Sequence, residues 1–212
     1  MKKETPGRAK NSAYKMSFST GGLFLHESER AAALYRDFGD WTTVRDKILA
    51  ENLLQARTLS TLKRLCRELV SRLKTLSDRE LGFLIECSRR ERGYLLWIAA
   101  CRQYAFVADF ALEILRERYI TLKIDISNEE FDSFFIRKSE WRPELDEITP
   151  ATRIRLRQNL FQMLREADLL TADNMIISAM LSPGLLNAIS PDNIRDVFYL
   201  PVFESDLKGV MQ

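Results

Sequence analysis

Apolar residues recur three or four positions apart along most of the chain, which is the spacing of an amphipathic α-helix. The pattern is clearest in the segment that starts at Thr58, where one face is apolar and the opposite face carries hydroxyl and basic groups. The apolar face consists of Leu62, Leu65, Cys66, Leu69, Val70 and Leu73. The opposite face consists of Ser60, Thr61, Lys63, Arg64, Arg67 and Ser71. This partition predicts a helix that packs on a core and presents its basic face to solvent.

Helix-start signals divide the rest of the chain. Three serine and glutamate pairs have the spacing of a capping box, namely Ser77 with Glu80, Ser88 with Glu91, and Ser127 with Glu130. Asp40 is a predicted cap after a stop at Gly39, and Thr149 with Pro150 starts another helix. A first helix is predicted from Glu27 or Ser28 to residue 38. Further helices are predicted over residues 41–54, 58–73, 78–86, 89–102, 106–120 and 128–140, and from residue 150 onward. The segment TLKIDI, residues 121–126, is either a strand fragment or an extended link, and only short segments are predicted after Leu170.

Composition agrees with a helical fold. The 212 residues include only eight glycines and six prolines, and 46% of the residues are apolar, which is enough to build a core. We therefore expect an all-α protein, a compact helical globule that contains two helix-turn-helix-like units. We expect three regions, namely an N-terminal arm and lead-in segment (1–26), a first helical region (27–120) and a second helical region (121–212). The boundary between the two helical regions lies near residues 121–126 and is weakly marked in the sequence. The alternative is that the two regions form one globular unit.

The chain contains an internal repeat at an offset of 91 residues. TLSTLKRLCRELVSRLK from Thr58 aligns with TPATRIRLRQNLFQMLR from Thr149, and six of the seventeen positions are identical. In the second copy the predicted core face consists of Ile154, Leu156, Leu160, Phe161, Met163 and Leu164. Its predicted outer face consists of Thr152, Arg155, Gln158, Asn159 and Gln162. Arg153 and Arg157 fall beside the apolar stripe, from which long basic side chains extend to an adjacent surface.

Each repeat helix follows another amphipathic helix and a turn, as in a helix-turn-helix unit whose second helix enters the major groove of DNA. Hydroxyl groups at a helix N-terminus suit phosphate, while arginine and glutamine suit base edges. Residues 57–74 hold six basic residues and one acidic residue, and residues 149–165 hold four basic and no acidic residues. Residues 125–147, by contrast, hold three basic and eight acidic residues. The predicted DNA contacts are Thr58, Ser60, Thr61, Lys63, Arg64, Arg67, Thr149, Thr152, Arg153, Arg155 and Gln158.

Two other interpretations compete with DNA binding. Antiparallel helix pairs with charged outer faces also occur in scaffold proteins, so acidic surfaces of partner proteins are the alternative ligand. The net charge is only +2, so DNA binding depends on where the charges lie.

The second competing interpretation is that the protein is an enzyme. The sequence, however, shows no metal-ligand cluster, phosphate loop or nucleophile with an adjacent base. We therefore expect no enzyme activity and no cofactor.

The remaining features indicate a cytoplasmic protein. The chain has three cysteines, an odd number, and they are widely spaced at Cys66, Cys87 and Cys101. Neither a disulfide framework nor a zinc site is therefore predicted. The single histidine, His26, is interpreted as a helix-start residue. The longest apolar run, Tyr94–Cys101, is too short for a membrane span, and the basic N-terminus lacks the apolar stretch of a secretory signal.

The first fifteen residues, MKKETPGRAKNSAYK, are predicted to form a loose arm. Their five basic residues, which include Lys15, are opposed by Glu4 alone. Such arms are usually solvated tails, and contact with a polyanion is the alternative. Gly21 and Gly22 lack the spacing and the following lysine of a phosphate loop, so they predict a turn.

Several segments resemble the BrxA family of the bacteriophage-exclusion (BREX) defence systems. They are YKMSFSTGGLFLHES, DWTTVRDKILAENLLQARTLSTLKRLCRELVSRLKTL, YLLWIAACRQY, ATRIRLRQNLFQMLREADLL and ISAMLSP, of which the block from Asp40 to Leu76 is the most specific. The resemblance implies a compact, all-helical, cytoplasmic and non-enzymatic component, similar to relatives whose two helix-turn-helix units bind double-stranded DNA. It also implies the methyltransferase and the ATPases of the same system as partners.

On this sequence the implied DNA contacts fall on Ser60, Thr61, Lys63, Arg64, Arg67, Thr152, Arg155 and Gln158. Gln158 stands where the first helix has Arg67, and Ile154 stands where it has Lys63. The second helix is therefore expected to hold phosphate more weakly than the first. A chain with two such helices supplies both contacts by itself, so we expect a monomer.

Overall fold

Helices follow one another through the part of the chain that the computed structural model describes, residues 13–189 and 193–205. The α-helices are α1 (Leu25–Phe38), α2 (Trp41–Ala50), α3 (Leu59–Leu73), α4 (Asp78–Glu86), α5 (Arg89–Gln103), α6 (Ala105–Phe110), α7 (Glu117–Ile120), α8 (Asn128–Ser139), α9 (Pro150–Glu166) and α10 (Pro183–Ile189). A π-helical segment, Ala111–Arg116, joins α6 to α7, and Pro143–Leu145 and Ile194–Tyr199 are 3-10 helices. The extended residues described form only isolated bridges, Asp125 with Met175 and Leu170 with Ile176. The predicted all-α fold is confirmed. In the segment 121–126, Thr121 and Leu122 form a turn, and the residues after them are an extended link that pairs with Met175 through Asp125.

Side-chain caps start most helices where the sequence predicts them. The hydroxyls of Ser77, Ser88 and Ser127 each accept the backbone N–H of the glutamate three positions on at 3.3 Å, and that glutamate accepts the serine N–H in return. The predicted stop of α1 is confirmed at Gly39, whose φ of +66° costs glycine little. α1 begins earlier than predicted, at Leu25, because the Phe24 carbonyl already accepts a helical N–H.

α2 is shorter than predicted, because it ends at Ala50 and not at Leu54. Asn52 adopts a left-handed conformation with φ of +46° and bonds the backbone of Ala56 twice. Its side-chain amide donates to the Ala56 carbonyl at 3.1 Å, and its Oδ1 accepts the Ala56 N–H at 3.0 Å. Asparagine competes with helical hydrogen bonds in this way. The connection between α2 and α3 is therefore a wide turn over residues 51–58, longer than the roughly three or four residues usual in a helix-turn-helix.

α5 lies at the centre of the fold. Its residues Arg92–Cys101 are all buried, and it packs on α1, α3, α4, α6, α9 and the 3-10 helix of residues 194–199. The Trp97 indole N–H donates to the Tyr199 carbonyl at 2.8 Å. Phe106, which follows α5 in the chain, contacts the rings of Tyr14, Phe18, Phe131, Phe134 and Phe135. The core therefore extends from α5 to α8 and to the N-terminal residues.

Residues 13–24, here called the strap, cross the helices without regular secondary structure. Phe18 and Leu23 are buried in the core. Several polar contacts hold the strap. They include the Tyr14 N–H with Glu144 Oε1 at 2.6 Å, the Asn159 amide with the Phe18 carbonyl at 3.2 Å, and the Leu23 N–H with Glu166 Oε2 at 2.5 Å. Residues 13–15 of the predicted loose arm are therefore tied to the protein, because the aromatic side chains of the strap are buried. Residues 1–12 of that arm lie outside the described residues.

Two glycines let the strap turn and approach α9. Gly21 has a φ of +69°, so the predicted turn is present. A Cβ added to Gly22 would lie 2.1 Å from Glu166 Oε2, which shows how closely the strap backbone approaches that side chain. The Gly22 carbonyl also accepts a hydrogen bond from Arg72 Nη1 at 2.7 Å. The strap is thus joined to α3 as well as to α9.

Both predicted helical regions contribute to one cluster of buried hydrophobic side chains. The cluster includes Val44 and Leu69 of the first region and Phe134 and Leu160 of the second. The division near residues 121–126 stays a prediction. Within residues 13–189 and 193–205, no single helix has the length and hydropathy to cross a membrane. Helix α5 together with the helical stretch from α6 to α7 has the required length and hydropathy, but the two are bent by 117° relative to each other.

Candidate nucleic-acid interface

α3 begins with three hydroxyl side chains. Thr58 is the N-cap, and its Oγ1 accepts the Thr61 N–H at 3.2 Å. The same oxygen lies 2.9 Å from Thr61 Oγ1 and 3.2 Å from Ser60 Oγ. The first backbone N–H groups of a helix lack intrahelical acceptors and, with the positive end of the helix dipole, favour an anion. The predicted helix start at Thr58 is confirmed, and its chemistry suits phosphate.

The outer face of α3 is basic and exposed. Lys63, Arg64 and Arg67 are all exposed, whereas the six residues of the predicted apolar face are buried or half-buried. None of these three cations forms an ion pair with a carboxylate of the described residues. Their charges are therefore free of a described protein partner and can meet a polyanion from solvent.

The strap and α3 enclose a cleft of about 480 Å³ beside this face. Its basic lining consists of Lys15, Arg64 and Arg67, and its neutral polar lining consists of Ser17, Ser19, Thr20, Ser71 and Gln103. Glu68 also lines the cleft but is only 7% exposed. The cleft therefore has a positive wall on each side, one from the strap and one from α3.

Glu68, Arg72 and Tyr104 form a buried network beside the cleft. The Tyr104 hydroxyl donates to the Glu68 carboxylate and lies 2.5 and 2.6 Å from its two oxygens. Arg72 Nε donates to Glu68 Oε1 at 2.7 Å. Burial, and then the negative charge of Glu68, raises the pKa of Tyr104 to about 12. Arg72 pairs with the Glu68 carboxylate inside the protein. Glu68 therefore does not pair with Arg64 or Arg67, whose guanidinium groups can bind a ligand.

α9 starts in the same way as α3. Thr149 Oγ1 accepts the Thr152 N–H at 3.3 Å and lies 3.0 Å from Thr152 Oγ1, and Pro150 occupies the first helical position. Thr149 and Thr152 are the repeat equivalents of Thr58 and Thr61, so the two helix starts share a capping geometry as well as a sequence. Arg155 and Gln158 are exposed on the outer face of α9, as predicted.

The two other arginines near the start of α9 are engaged within the protein. Arg153 Nε donates to Asp132 Oδ1 at 2.9 Å, and Arg157 Nη1 donates to Asp132 Oδ2 at 2.5 Å. The Arg153 guanidinium also lies 4.9 Å from the centre of the Phe135 ring. The adjacent surface to which these arginines extend is therefore α8. Among the three, Arg155 is the one without an acidic partner in the described residues.

The prediction that Ile154 faces the core is wrong. Ile154 is 46% exposed and lines a cleft of about 420 Å³ between α8, the 3-10 turn Pro143–Leu145 and α9. It faces the gap that the wide connection between α8 and α9 leaves open. Ile136 lines the same cleft and is 53% exposed. The other predicted core positions of α9 are buried, so Ile154 is the one residue of the predicted core face that is exposed.

Sequence reasoning missed part of the cleft beside α3. The charge pattern places Lys15 in a loose arm, and no periodic pattern relates Gln103 to α3. The sequence signal that could have placed this segment on the protein is the pair of aromatic residues Tyr14 and Phe18, because a fully solvated arm does not need large apolar side chains. Their burial carries Lys15 and the strap serines to the wall of the cleft.

Metal ligands and thiols are reactive groups on which catalysis can depend. They include no group of three or more His, Cys, Asp and Glu side chains that could hold a metal ion. The three cysteines are free. Burial raises the pKa of Cys87 to about 11, so its thiol stays protonated and is a weak nucleophile at neutral pH. His26 lies in the first turn of α1, as the sequence predicts.

Comparisons with known proteins give the family. The sequence profile of the BrxA family matches residues 12–193. A BREX protein BrxA from Escherichia coli O9:H4 (strain HS) is 28% identical over 192 residues, which cover 91% of this chain and 83% of the relative. A BREX protein BrxA from Bacillus cereus (strain H3081.97) is 24% identical over 190 residues, which cover 88% of this chain and 92% of the relative.

A solved structure shows the same fold. It is the crystal structure of an uncharacterized protein from Magnetospirillum magneticum, with a TM-score of 0.78 and 20% sequence identity. The match covers 89% of this chain and 98% of that chain. The structural match concerns the fold, whereas the family profile spans most of the sequence. The chain therefore belongs to the BrxA family.

Proposed function

We propose that this chain is a non-enzymatic component of a BREX phage-defence system and that it binds double-stranded DNA. Membership of the BrxA family supports the place in the defence system, because its relatives are named BREX proteins. One observation carries the DNA-binding part, namely the exposed basic face of α3 with Lys63, Arg64 and Arg67 free of described acidic partners. DNA presents a dense row of phosphate charges that such a face neutralises.

The two repeat helices contribute unequally to the proposed contact. α3 offers three cations, whereas α9 offers Arg155 with Gln158, because Arg153 and Arg157 pair with Asp132. The threonine-capped N-termini of both helices are proposed phosphate contacts. The protein acts as a cytoplasmic monomer that holds one duplex with both helices, and the methyltransferase and ATPases of the system are its proposed protein partners.

Fluorescence anisotropy of a labelled duplex tests DNA binding. If the three cations of α3 and Arg155 each contact one phosphate, these four residues alone should contribute a slope of about −3.6 to the fall of log affinity with log salt concentration. A variant with Lys123→Ala and Arg36→Ala is a matched control, because both residues are exposed and lie outside α3 and α9. The control should bind as the parent does. Absence of binding at low salt, or an affinity that does not depend on salt, would contradict the proposal.

The non-enzymatic part has a separate test. Incubation of the purified protein with duplex DNA, nucleoside triphosphates and magnesium should leave every substrate unchanged, because the described residues assemble no metal cluster and no reactive thiol. Gel electrophoresis and nucleotide chromatography measure this. Nicking or hydrolysis that copurifies with the protein through several columns would show that it is an enzyme.

A second candidate function is a scaffold that docks other proteins of the system. The observation in its favour is the exposure of three large apolar side chains of the second helix pair and its connection, since Trp141 is 80% exposed, Ile136 53% and Ile154 46%. Exposed apolar patches on soluble proteins often mark interaction sites. If the chain is a scaffold, Trp141→Ser should weaken its copurification with the methyltransferase or the ATPases. The basic faces would then bind acidic protein surfaces, and the protein would not bind duplex DNA.

A further inference from the structure

The cleft between the strap and α3 combines cations from two separate elements. Lys15 comes from the strap, and Arg64 and Arg67 come from α3. Neither Lys15 nor Ser19 forms a side-chain hydrogen bond or an ion pair with another described residue, so their donors are available to a ligand. We infer that this cleft is a phosphate-binding site. The inference rests on the proposed function for the source of the phosphate, which is the backbone of the DNA duplex.

The chemistry of the lining fits a phosphate group. Arginine offers paired N–H donors to two phosphate oxygens, lysine offers a compact positive charge, and serine offers a hydroxyl donor. The acid in the lining does not compete, because the Glu68 carboxylate is bonded by Arg72 and Tyr104. A cleft of about 480 Å³ is within the size range of small-ligand sites. It therefore admits a phosphate with its flanking sugar atoms.

The site assigns different tasks to residues of the same helix. Arg64 and Arg67 line the cleft and contact the backbone, whereas Lys63 does not line it and remains on the open face of α3. Contacts to phosphate position a protein on DNA but carry no base information. The strap therefore strengthens binding to duplexes of any sequence. A nucleoside triphosphate or pyrophosphate shares this chemistry and is the other source of phosphate that the cleft can take.

A charge-reversal pair tests the strap contact. Lys15→Glu places a carboxylate in the cleft, and Lys123→Glu makes the same change at an exposed lysine outside the cleft. For Lys15→Glu we expect weaker binding to two duplexes of unrelated sequence and a salt slope shallower by roughly 0.9. For Lys123→Glu we expect the parental slope. Both residues are exposed, so the thermal unfolding midpoints of the two variants should match that of the parent.

A second arm identifies the source of the phosphate. Titration calorimetry with ATP and with pyrophosphate, in the absence of DNA, is carried out on the parent and on Lys15→Glu. Lys15-dependent duplex binding supports the cleft with the DNA backbone as its ligand. Lys15-dependent binding of ATP or pyrophosphate without duplex binding supports the cleft and refutes the proposed function. Duplex binding that is equal in Lys15→Glu and Lys123→Glu, without Lys15-dependent phosphate binding, overturns the cleft and leaves the proposed function standing. Failure of every ligand to bind the parent overturns both.

Discussion

At the scale of single residues, burial separates arginines that hold the fold together from arginines that are free to bind a ligand. Arg72 is 3% exposed and bonds both Glu68 and the Gly22 carbonyl, so it joins α3 to the strap. Arg64 and Arg67 of the same helix are exposed to solvent and have no described acidic partner. Loss of a buried, bonded arginine should therefore destabilise the protein, and loss of an exposed one should not.

The variant Arg64→Ala with Arg67→Ala tests this separation. We expect the salt slope of duplex binding to become shallower by roughly 0.9 for each phosphate that the protein no longer neutralises. We expect the thermal unfolding midpoint to change little, because exposed substitutions usually alter stability by only about 0.5 kcal/mol. Anisotropy titrations and thermal melts measure the two effects. An unchanged slope would place the DNA contact elsewhere on the protein.

Tyr104→Phe tests the buried network. Without the hydroxyl, Glu68 loses a hydrogen bond, and we expect the free energy of unfolding at neutral pH to fall by roughly 1.5–3 kcal/mol. The pKa of Tyr104 is about 12 in the folded protein and about 10 in an unfolded chain. The associated stability is therefore present below pH 10 and is lost as the pH rises toward 12.

The measurement for Tyr104→Phe is urea denaturation between pH 9 and 12. The decline of unfolding free energy across this window should be shallower in the variant than in the parent. Burial also raises the pKa of Tyr14 to about 12, and that residue accounts for part of the slope that remains. If parent and variant decline with equal steepness, Tyr104 is not the group that links stability to alkaline pH.

At the scale of helices, the features that could be predicted are those set by neighbouring residues. The caps at Thr58 and Thr149 lie within three positions of the N–H groups that they accept, so local sequence is enough to predict the starts of α3 and α9. The end of α2 depends on the left-handed conformation of Asn52, which the apolar pattern does not encode. The exposure of Ile154 depends on the gap between α8 and α9, which is set by tertiary packing.

The two repeat helices should differ in strength. We expect Arg64→Ala to weaken duplex binding more than Arg155→Ala, because Arg64 lines a cleft with two other cations while the arginines beside Arg155 pair with Asp132. If one duplex meets both helices, the second contact is intramolecular, so Arg155→Ala should still cause a measurable loss. The double variant should bind more weakly than either single variant.

The comparison of these variants requires one fixed salt concentration, with Arg36→Ala as an exposed control on α1. If Arg155→Ala binds as tightly as the parent does, α9 is not a DNA contact. The repeat at an offset of 91 residues would then reflect a shared way of packing and capping.

At the scale of the whole molecule, the strap joins the elements that carry the proposed function. It bonds Glu144 before α9, Asn159 and Glu166 within α9, and Arg72 on α3. The helical class and the family could be predicted from local patterns and from resemblance. The path of the strap could not, because residues without a period are placed only by what they pack against.

A chain with both basic helices should act alone. We expect size-exclusion chromatography with light scattering to give a monomer near the chain mass of 24.6 kDa. With a duplex long enough for both helices, the complex should contain one protein and one duplex. Binding that appears only in a dimer fraction would show that the second reading helix comes from another copy of the chain.

The contacts of the strap also bear on the order in which a newly made chain completes its binding surface. The strap is synthesised before α9, and its bonds to Asn159 and Glu166 span 141 and 143 residues, so their partners leave the ribosome long after the strap does. Contacts so distant in sequence form late and slowly. A nascent chain that has released α3 but not α9 therefore carries the basic helix without a secured second wall for the cleft. Premature termination before α9 should yield a product that lacks the phosphate site, even though α3 itself has been made.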